Sequence, residues 1–409
     1  MSETIESFTL GCGATLHVAP RRDVPVVAVR GALRGGLLSE TPARSGICQF
    51  MTETWPRGTR TRSTADLARA IETLAADIDG FAGRNSIGLT LDATSDRIEP
   101  ALDLYAEILL SPAFEPGEIE RQRSDTLAAI GRREDRLGTR AFDLFQATLY
   151  GEHPYGRPVI GSEASVQKLD REALVEQHAR LVRGPNLVLG VAGDVDPERV
   201  AEGLSRRLAG LSEEGSEIAV PPFEPLREAR SVAARKDREQ AHLVVGFPGL
   251  TLFDPDRYAL EVITQLLAGQ GGRLFLELRD RQSLAYSVSA MNVEGLEPGY
   301  FAGYIATSPD RLEEAKRGML DELHRTLDAP PEAAALERAR RYLVGSHVIE
   351  EQRSGSRALH MALDGLYGLG ANASAGYAEA IRAVGPDDVL RVARRVLDFD
   401  AVVTATVGP

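Results

Sequence analysis

A chain of 409 residues is long for a single core and suits two domains of about 200 residues each. Hydrophobic residues make up 43% and charged residues 26%, which is a globular composition rather than a disordered or fibrous one. The formal net charge of −13, from 60 acidic and 47 basic residues, argues against nucleic acid as a partner, because its phosphates would be repelled. No apolar run approaches the roughly 18 residues of a membrane span. Residues 1–10 carry acids and no apolar core, so they read as the start of a strand rather than a signal peptide. Cys12 and Cys48 make neither a CxxC pair nor a disulfide framework. The expectation is a cytoplasmic protein, or a periplasmic one if an export signal has been removed.

In chain order, residues 15–18 and 24–31 alternate as strands and predict an antiparallel hairpin; residues 232–234 and 241–246 do the same in the second half. Residues 64–78 place Leu67, Ile71, Leu74 and Ile78 on one helical face, opened by Ser63 with Asp66 three residues on. A strand-like run at 86–91 leads into Ala-Thr-Ser-Asp-Arg-Ile-Glu at 93–99. A similar run at 299–305 leads into Ala-Thr-Ser-Pro-Asp-Arg-Leu-Glu at 306–313. The helical pattern at 171–181 likewise has a counterpart at 387–397, and each precedes an apolar strand ending in glycine. One long-period duplication is the mark of two similar domains rather than a solenoid. A charged and proline-rich stretch at 212–225 marks the linker. The predicted layout is therefore a domain over 1–211, a linker over 212–225 and a domain over 226–409. The predicted fold class is α+β: two similar α/β domains in tandem, each a mainly antiparallel sheet with helices on one face.

Candidate chemistry is sparse. No two of the seven histidines stand three or four residues apart, so no helix offers two imidazoles on one face. His347, Glu350 and Glu351 come nearest to a metal set, although a solvated or capping polar face accounts for them as well. His153 sits in a turn-like segment, and Ser283 and Cys48 have no base nearby in sequence. The glycines at 269–272 lack the Gly-Lys-Ser/Thr ending of a phosphate loop and fit a turn that needs positive φ.

The most informative stretch is 271–286, where the glycine-rich turn runs into a short amphipathic helix and then a strand. Leu274, Phe275 and Leu278 share one side of the helix. Arg279 near its end and Tyr286 at the strand's start are a cation and a phenol that a helix–turn–strand can aim at one point. Taken alone, Arg279 also fits a helix cap and Tyr286 a core edge.

This stretch resembles the C-terminal-domain motif of the insulinase/pitrilysin metallopeptidases, the inverted zincins, whose paired arginine and tyrosine stand seven residues apart. The resemblance runs over nearly the whole chain and implies that family's fold. Residues 46–59 fall where the family carries its zinc helix, yet HxxEH is replaced by Gln49, Thr52 and Glu53. The later glutamate ligand falls at Ala128 or Ala129. A catalytic zinc needs three protein ligands and an open position for water, and these positions supply one carboxylate and no base. The resemblance thus implies a substrate-binding subunit of a two-chain peptidase that holds no metal itself. Its partner would be a chain of similar length bearing HxxEH and zinc, and Arg279 and Tyr286 would serve catalysis and substrate binding in trans on peptides. The alternative expectation is a structural or assembly protein that keeps an inactive peptidase fold.

Overall fold

The alternating apolar stretches of the first half become six strands: β1 (Glu6–Thr9), β2 (Thr15–Pro20), β3 (Val26–Arg34), β4 (Asp77–Ala82), β5 (Ser86–Thr94) and β6 (Leu187–Gly193). The second half supplies five: β7 (Arg230–Arg235), β8 (Ala241–Pro248), β9 (Ser287–Val293), β10 (Tyr300–Thr307) and β11 (Val403–Gly408). The computed structural model describes residues 4–409. Its helices are α1 (Ile47–Thr54), α2 (Thr64–Thr73), α3 (Ile98–Leu110), α4 (Pro116–Asp135), α5 (Leu137–Tyr150), α6 (Glu163–Val166), α7 (Arg171–Leu181) and α8 (Pro197–Arg207). They continue with α9 (Arg257–Leu267), α10 (Leu312–His324), α11 (Ala333–Glu350), α12 (Ser354–Tyr367), α13 (Tyr377–Ala383) and α14 (Pro386–Val396).

The first sheet has the order β1-β2-β6-β3-β5-β4 and the second β7-β11-β8-β10-β9. In each, one pair is parallel (β2 with β6, β7 with β11) and the others are antiparallel. The two predicted hairpins do not form. β6 lies between β2 and β3, and β11 lies between β7 and β8. β6 is buried at every position, and a strand covered on both faces belongs inside a sheet rather than at its rim.

The internal repeat is realised as repeated structure. β5 passes through a 3₁₀ turn at Ser95–Arg97 into α3, and β10 through one at Pro309–Arg311 into α10. Helices α7 and α14 lead to β6 and β11 in the same way. Helix α2 starts as predicted, with the Ser63 hydroxyl accepting from the Asp66 N–H at 3.2 Å, but it stops at Thr73. Ile78 belongs to β4, where it pairs with Leu91 of β5. A period-2 ladder with a neighbouring strand outcompetes the helical period over those residues.

Two compact units result, and neither is one continuous stretch of chain. One holds the residues through Ile130, Pro158–Val220 and Val348–Gly376; the other holds Gly131–Arg157, Pro221–His347 and Tyr377–Pro409. Each core sits between a sheet and its main helical layer. In the first, Leu16, Val29, Leu89 and Leu189 meet Met51, Trp55, Tyr105 and Leu174. In the second, Leu243, Val245, Phe247 and Phe301 meet Leu260, Ile263, Met319 and Val392.

The opposite faces are not bare. Small residues there (Ala19, Ala28 and Ala192) let α12 pack close through Ala358 and Met361 in the first unit. In the second unit α5 covers the corresponding face, with Phe145 against Gly246. Both helices reach their sheets from the other half of the sequence.

Candidate functional site

Helix α1 begins at Gly46, whose φ of +88° puts it in the left-handed region that glycine enters at least cost. The buried carboxylate of Glu40 accepts from the N–H groups of Gly46 (2.8 Å) and Cys48 (3.0 Å), so it satisfies orphan donors at the positive end of the helix. Ile47, Phe50 and Met51 anchor the helix in the core. Gln49 and Glu53, one turn apart, are left half-buried on the same side.

There the positions expected from the sequence to be a degenerate zinc motif form a hydrogen-bonded network. The Gln49 side-chain amide donates to Glu53 Oε1 at 2.7 Å, and the Gln122 amide of α4 donates to Glu53 Oε2. Gln122 Nε2 also reaches Thr126 Oγ1 at 3.1 Å. Thr52 is fully buried, and its hydroxyl turns back to donate to the Gln49 carbonyl at 3.0 Å.

Ala129 continues the stripe of Gln122 and Thr126 on α4, by helical spacing, whereas Ala128 is exposed. A zinc ion does not fit these residues. Glu53 is the one carboxylate, and both of its oxygens already accept from amides. A threonine hydroxyl bonded to its own helix cannot act as a base. Among the described residues no group of three or more His, Cys, Asp or Glu is placed to hold a metal.

Sequence reasoning missed Gln122 and Thr126. The signal was available in their i, i+4 spacing with Ala129 at i+7, but nothing in the sequence places that stripe against α1.

The other sequence candidates are structural. The Nδ1 atom of His153 accepts from the Tyr155 N–H at 3.2 Å and caps a 3₁₀ turn. The His347 ring lies 4.4 Å from that of Tyr377, centre to centre. Glu351 engages His360 Nδ1 at 2.5 Å and accepts from the Ser374 hydroxyl at 3.1 Å, so His347, Glu350 and Glu351 do not make a metal set. Cys48 is fully buried, and desolvation, helped by the nearby Glu40 charge, pushes its thiol up to about 12, far from a reactive thiolate.

The glycine-rich turn and its helix are built differently. Gly269 takes the positive φ expected of the turn, +77°. The predicted amphipathic helix is a π-helix over Phe275–Arg281, a form often found at functional sites. Leu274, Leu278 and Leu284 are buried and fix it to the core. The turn at its C-terminal end is held tightly. Leu284 N–H donates to the Leu278 carbonyl at 2.7 Å, and the Arg311 guanidinium donates to the carbonyls of Ser283 (2.7 Å) and Gln282 (3.2 Å). Ser283 adopts φ +52°, an uncommon backbone state for a residue with a Cβ.

Arg279 and Tyr286 flank this turn, and both are exposed. The Arg279 guanidinium lies over the Phe275 ring at 4.8 Å and, among the described residues, has no hydrogen-bond or ion-pair partner, so it does not cap the helix. Tyr286 is 60% exposed and not a core-edge residue. Its backbone N–H is fixed to the Ala306 carbonyl at 2.9 Å, while its hydroxyl has no partner among the described residues.

Two family models cover most of the chain. Residues 20–163 match the insulinase model (peptidase family M16), and residues 168–343, which include both Arg279 and Tyr286, match the peptidase M16 inactive domain. The chain belongs to the insulinase, or M16, family. It is an M16 chain of the inactive-subunit type. Among its M16 relatives, one named as an uncharacterized zinc protease in Streptomyces coelicolor is 27% identical over 88% of this chain and 80% of its own length. Another so named in Mycobacterium leprae is 30% identical over 70% of this chain and 66% of its own.

Solved structures share the fold over nearly the whole chain. The peptidase M16 inactive domain from Pseudomonas fluorescens superposes with a TM-score of 0.93 at 22% identity, covering 99% of this chain and 98% of that one. A chain of complex III2 from Candida albicans has a TM-score of 0.85 at 16% identity, covering 99% and 96%.

Proposed function

We propose that this chain is the non-zinc, substrate-binding subunit of a two-chain metallopeptidase. It would supply Arg279 and Tyr286 to the zinc site of a partner of similar length that carries an intact HxxEH. The observation that carries the reading is a contrast within the chain. Where M16 enzymes hold metal, Gln49, Thr52, Glu53 and Gln122 satisfy one another. In the other half a cation and a phenol stand exposed on a tightly held turn without partners among the described residues.

In the assembled enzyme the Tyr286 hydroxyl donates to the substrate carbonyl oxygen as negative charge builds on it. Arg279 holds a substrate carbonyl or carboxylate through charge-assisted hydrogen bonds. Neither group cleaves a peptide alone, so activity belongs to the pair of chains.

The test is peptide hydrolysis by this chain mixed with an HxxEH-bearing M16 partner. Tyr286→Phe should lower kcat by about 10²-fold, the loss typical of one oxyanion donor. Arg279→Ala should act more on KM, by roughly tenfold or more, as expected for a lost bond to a charged group. Full hydrolysis by both variants would overturn the proposal. An assembly role for an inactive peptidase fold would then be the better account.

A further inference from the structure

The sequence repeat at 93–99 and 306–313 carries an arginine at matching places, Arg97 and Arg311. Each closes a 3₁₀ turn and stands just before a long helix, α3 or α10. Their side chains act differently. Among the described residues the exposed Arg97 guanidinium pairs with the neighbouring Asp96 at 3.3 Å and with nothing else. The Arg311 guanidinium is half-buried and lies against the turn that joins Arg279 to Tyr286. One local motif, written twice, therefore has an added task in the second unit.

All three nitrogens of that guanidinium are engaged. Nη1 donates to the Ser283 carbonyl at 2.7 Å, Nη2 to the Gln282 carbonyl at 3.2 Å and Nε to Glu314 Oε2 at 3.1 Å. A planar fork holds two adjacent carbonyls and a carboxylate at once, which a lysine's single point charge cannot do. Within the turn, the Ser283 N–H donates to the carbonyl of Arg279 itself at 3.1 Å, and the Gln282 N–H to that of Glu277 at 3.1 Å. Ser283 is also the residue at φ +52°. Beneath the turn, Gly318 of α10 leaves room for the buried side chains of Leu278 and Leu284; a Cβ there would stand 2.8 Å from Leu278. Residues 306–318 thus supply the Ala306 carbonyl that fixes Tyr286, the floor under the turn and the cation that grips it.

We infer that Arg311 is a positioning residue: it fixes the backbone at Ser283 and with it the placement of the Arg279 guanidinium relative to the Tyr286 hydroxyl. This deepens the function proposed above and rests on it for the catalytic use of that placement. A serine in the left-handed region relaxes to negative φ unless its surroundings hold it. Gln282 and Ser283 are exposed, so without the guanidinium water would take both carbonyls and the hold would be lost. Rotation at Ser283 moves the chain on either side of it, and a misplacement of about 1 Å at a reacting group costs up to 10²-fold in rate. Arg311 acts through the turn, with Glu314 keeping its fork aimed.

The experiment joins hydrogen exchange on the full chain to peptide hydrolysis by the chain mixed with an HxxEH-bearing M16 partner. Arg311→Ala should speed exchange of the bonded amides at 282–284 by about tenfold or more while leaving the amides of α10 unchanged. Arg311→Lys should fall between the two, and Arg97→Ala, the counterpart in the repeat, should change neither exchange nor hydrolysis. In the wild-type background Arg311→Ala should lower kcat by about tenfold, less than Tyr286→Phe does. In a Tyr286→Phe background the same substitution should leave kcat within about twofold, because no hydroxyl remains to be placed. A merely structural role would lower kcat equally in both backgrounds.

Unchanged exchange at 282–284 in Arg311→Ala would overturn the inference, and so would equal losses of kcat in the two backgrounds. Failure of the proposed function looks different. Tyr286→Phe would then hydrolyse peptides fully, and exchange in the turn would judge Arg311 by itself.

Discussion

By the resemblance to the family, Gln49, Thr52 and Glu53 stand for a histidine, a glutamate and a histidine, and such a replacement would change what one turn of helix can do. Imidazoles and a free carboxylate ligate metal and move protons; amides, a hydroxyl and an engaged carboxylate hold one another. That loss was legible residue by residue, because the chemistry of a side chain is written in its identity. The partners Gln122 and Thr126 were not, because their meeting with α1 depends on helix packing. His178 makes the same point for protonation. Its Nε2–H donates to the Leu109 carbonyl at 2.8 Å, and its ring stands edge-on to Trp55 and Phe114. Burial lowers it from 6.5 to about 4, so the unfolded chain takes up a proton between those values while the folded chain does not. Its contribution to stability is therefore full above about pH 6.5 and declines as pH falls toward 4, by up to about 3 kcal/mol. Urea unfolding of the wild type and of His178→Gln at pH 7 and pH 4.5 should show this acid loss in the wild type and a smaller one in the variant.

At the scale of elements, propensity and period located most of the strands, though not β4, and only some of the helices, and the Ser63 cap of α2 is where the sequence places it. They did not give strand neighbours. An alternating pattern says which face of a strand is buried, but it is silent about which strand lies alongside. The second face of each sheet was also invisible in advance, because the helix that covers it comes from a distant part of the chain. In the first unit the approach is close enough that a Cβ at Gly190 would collide with the Ala358 carbonyl of α12. Gly190→Ala should therefore destabilise the protein by about 1–3 kcal/mol through overpacking and lower its melting temperature. Gly210→Ala, where nothing lies within 4 Å of the added Cβ, should leave the melting temperature nearly unchanged. Equal effects at the two positions would contradict the close packing of α12.

For the whole molecule, the distribution of chemistry between chains is the property to measure. The purified chain dialysed against buffer should hold far less than one zinc per molecule by elemental analysis, because one engaged carboxylate cannot replace three ligands. A mixture with an HxxEH partner should hold about one zinc per pair of chains. Stoichiometric zinc on this chain alone would contradict the reading of α1.

Composition, periodicity and side-chain identity by themselves determined the globular class and the internal duplication, since these are written in the order of residues; the altered metal positions and the Arg279/Tyr286 pair were read from the resemblance to the family. Tertiary structure decided the rest. It inserted β6 and β11 into the sheets, brought Gln122 to Glu53, set α5 and α12 on sheets far away in sequence, and left Tyr286 exposed. These depend on contacts between residues far apart in the chain, which local pattern cannot encode. Packing selects among the many arrangements that the same local pattern allows.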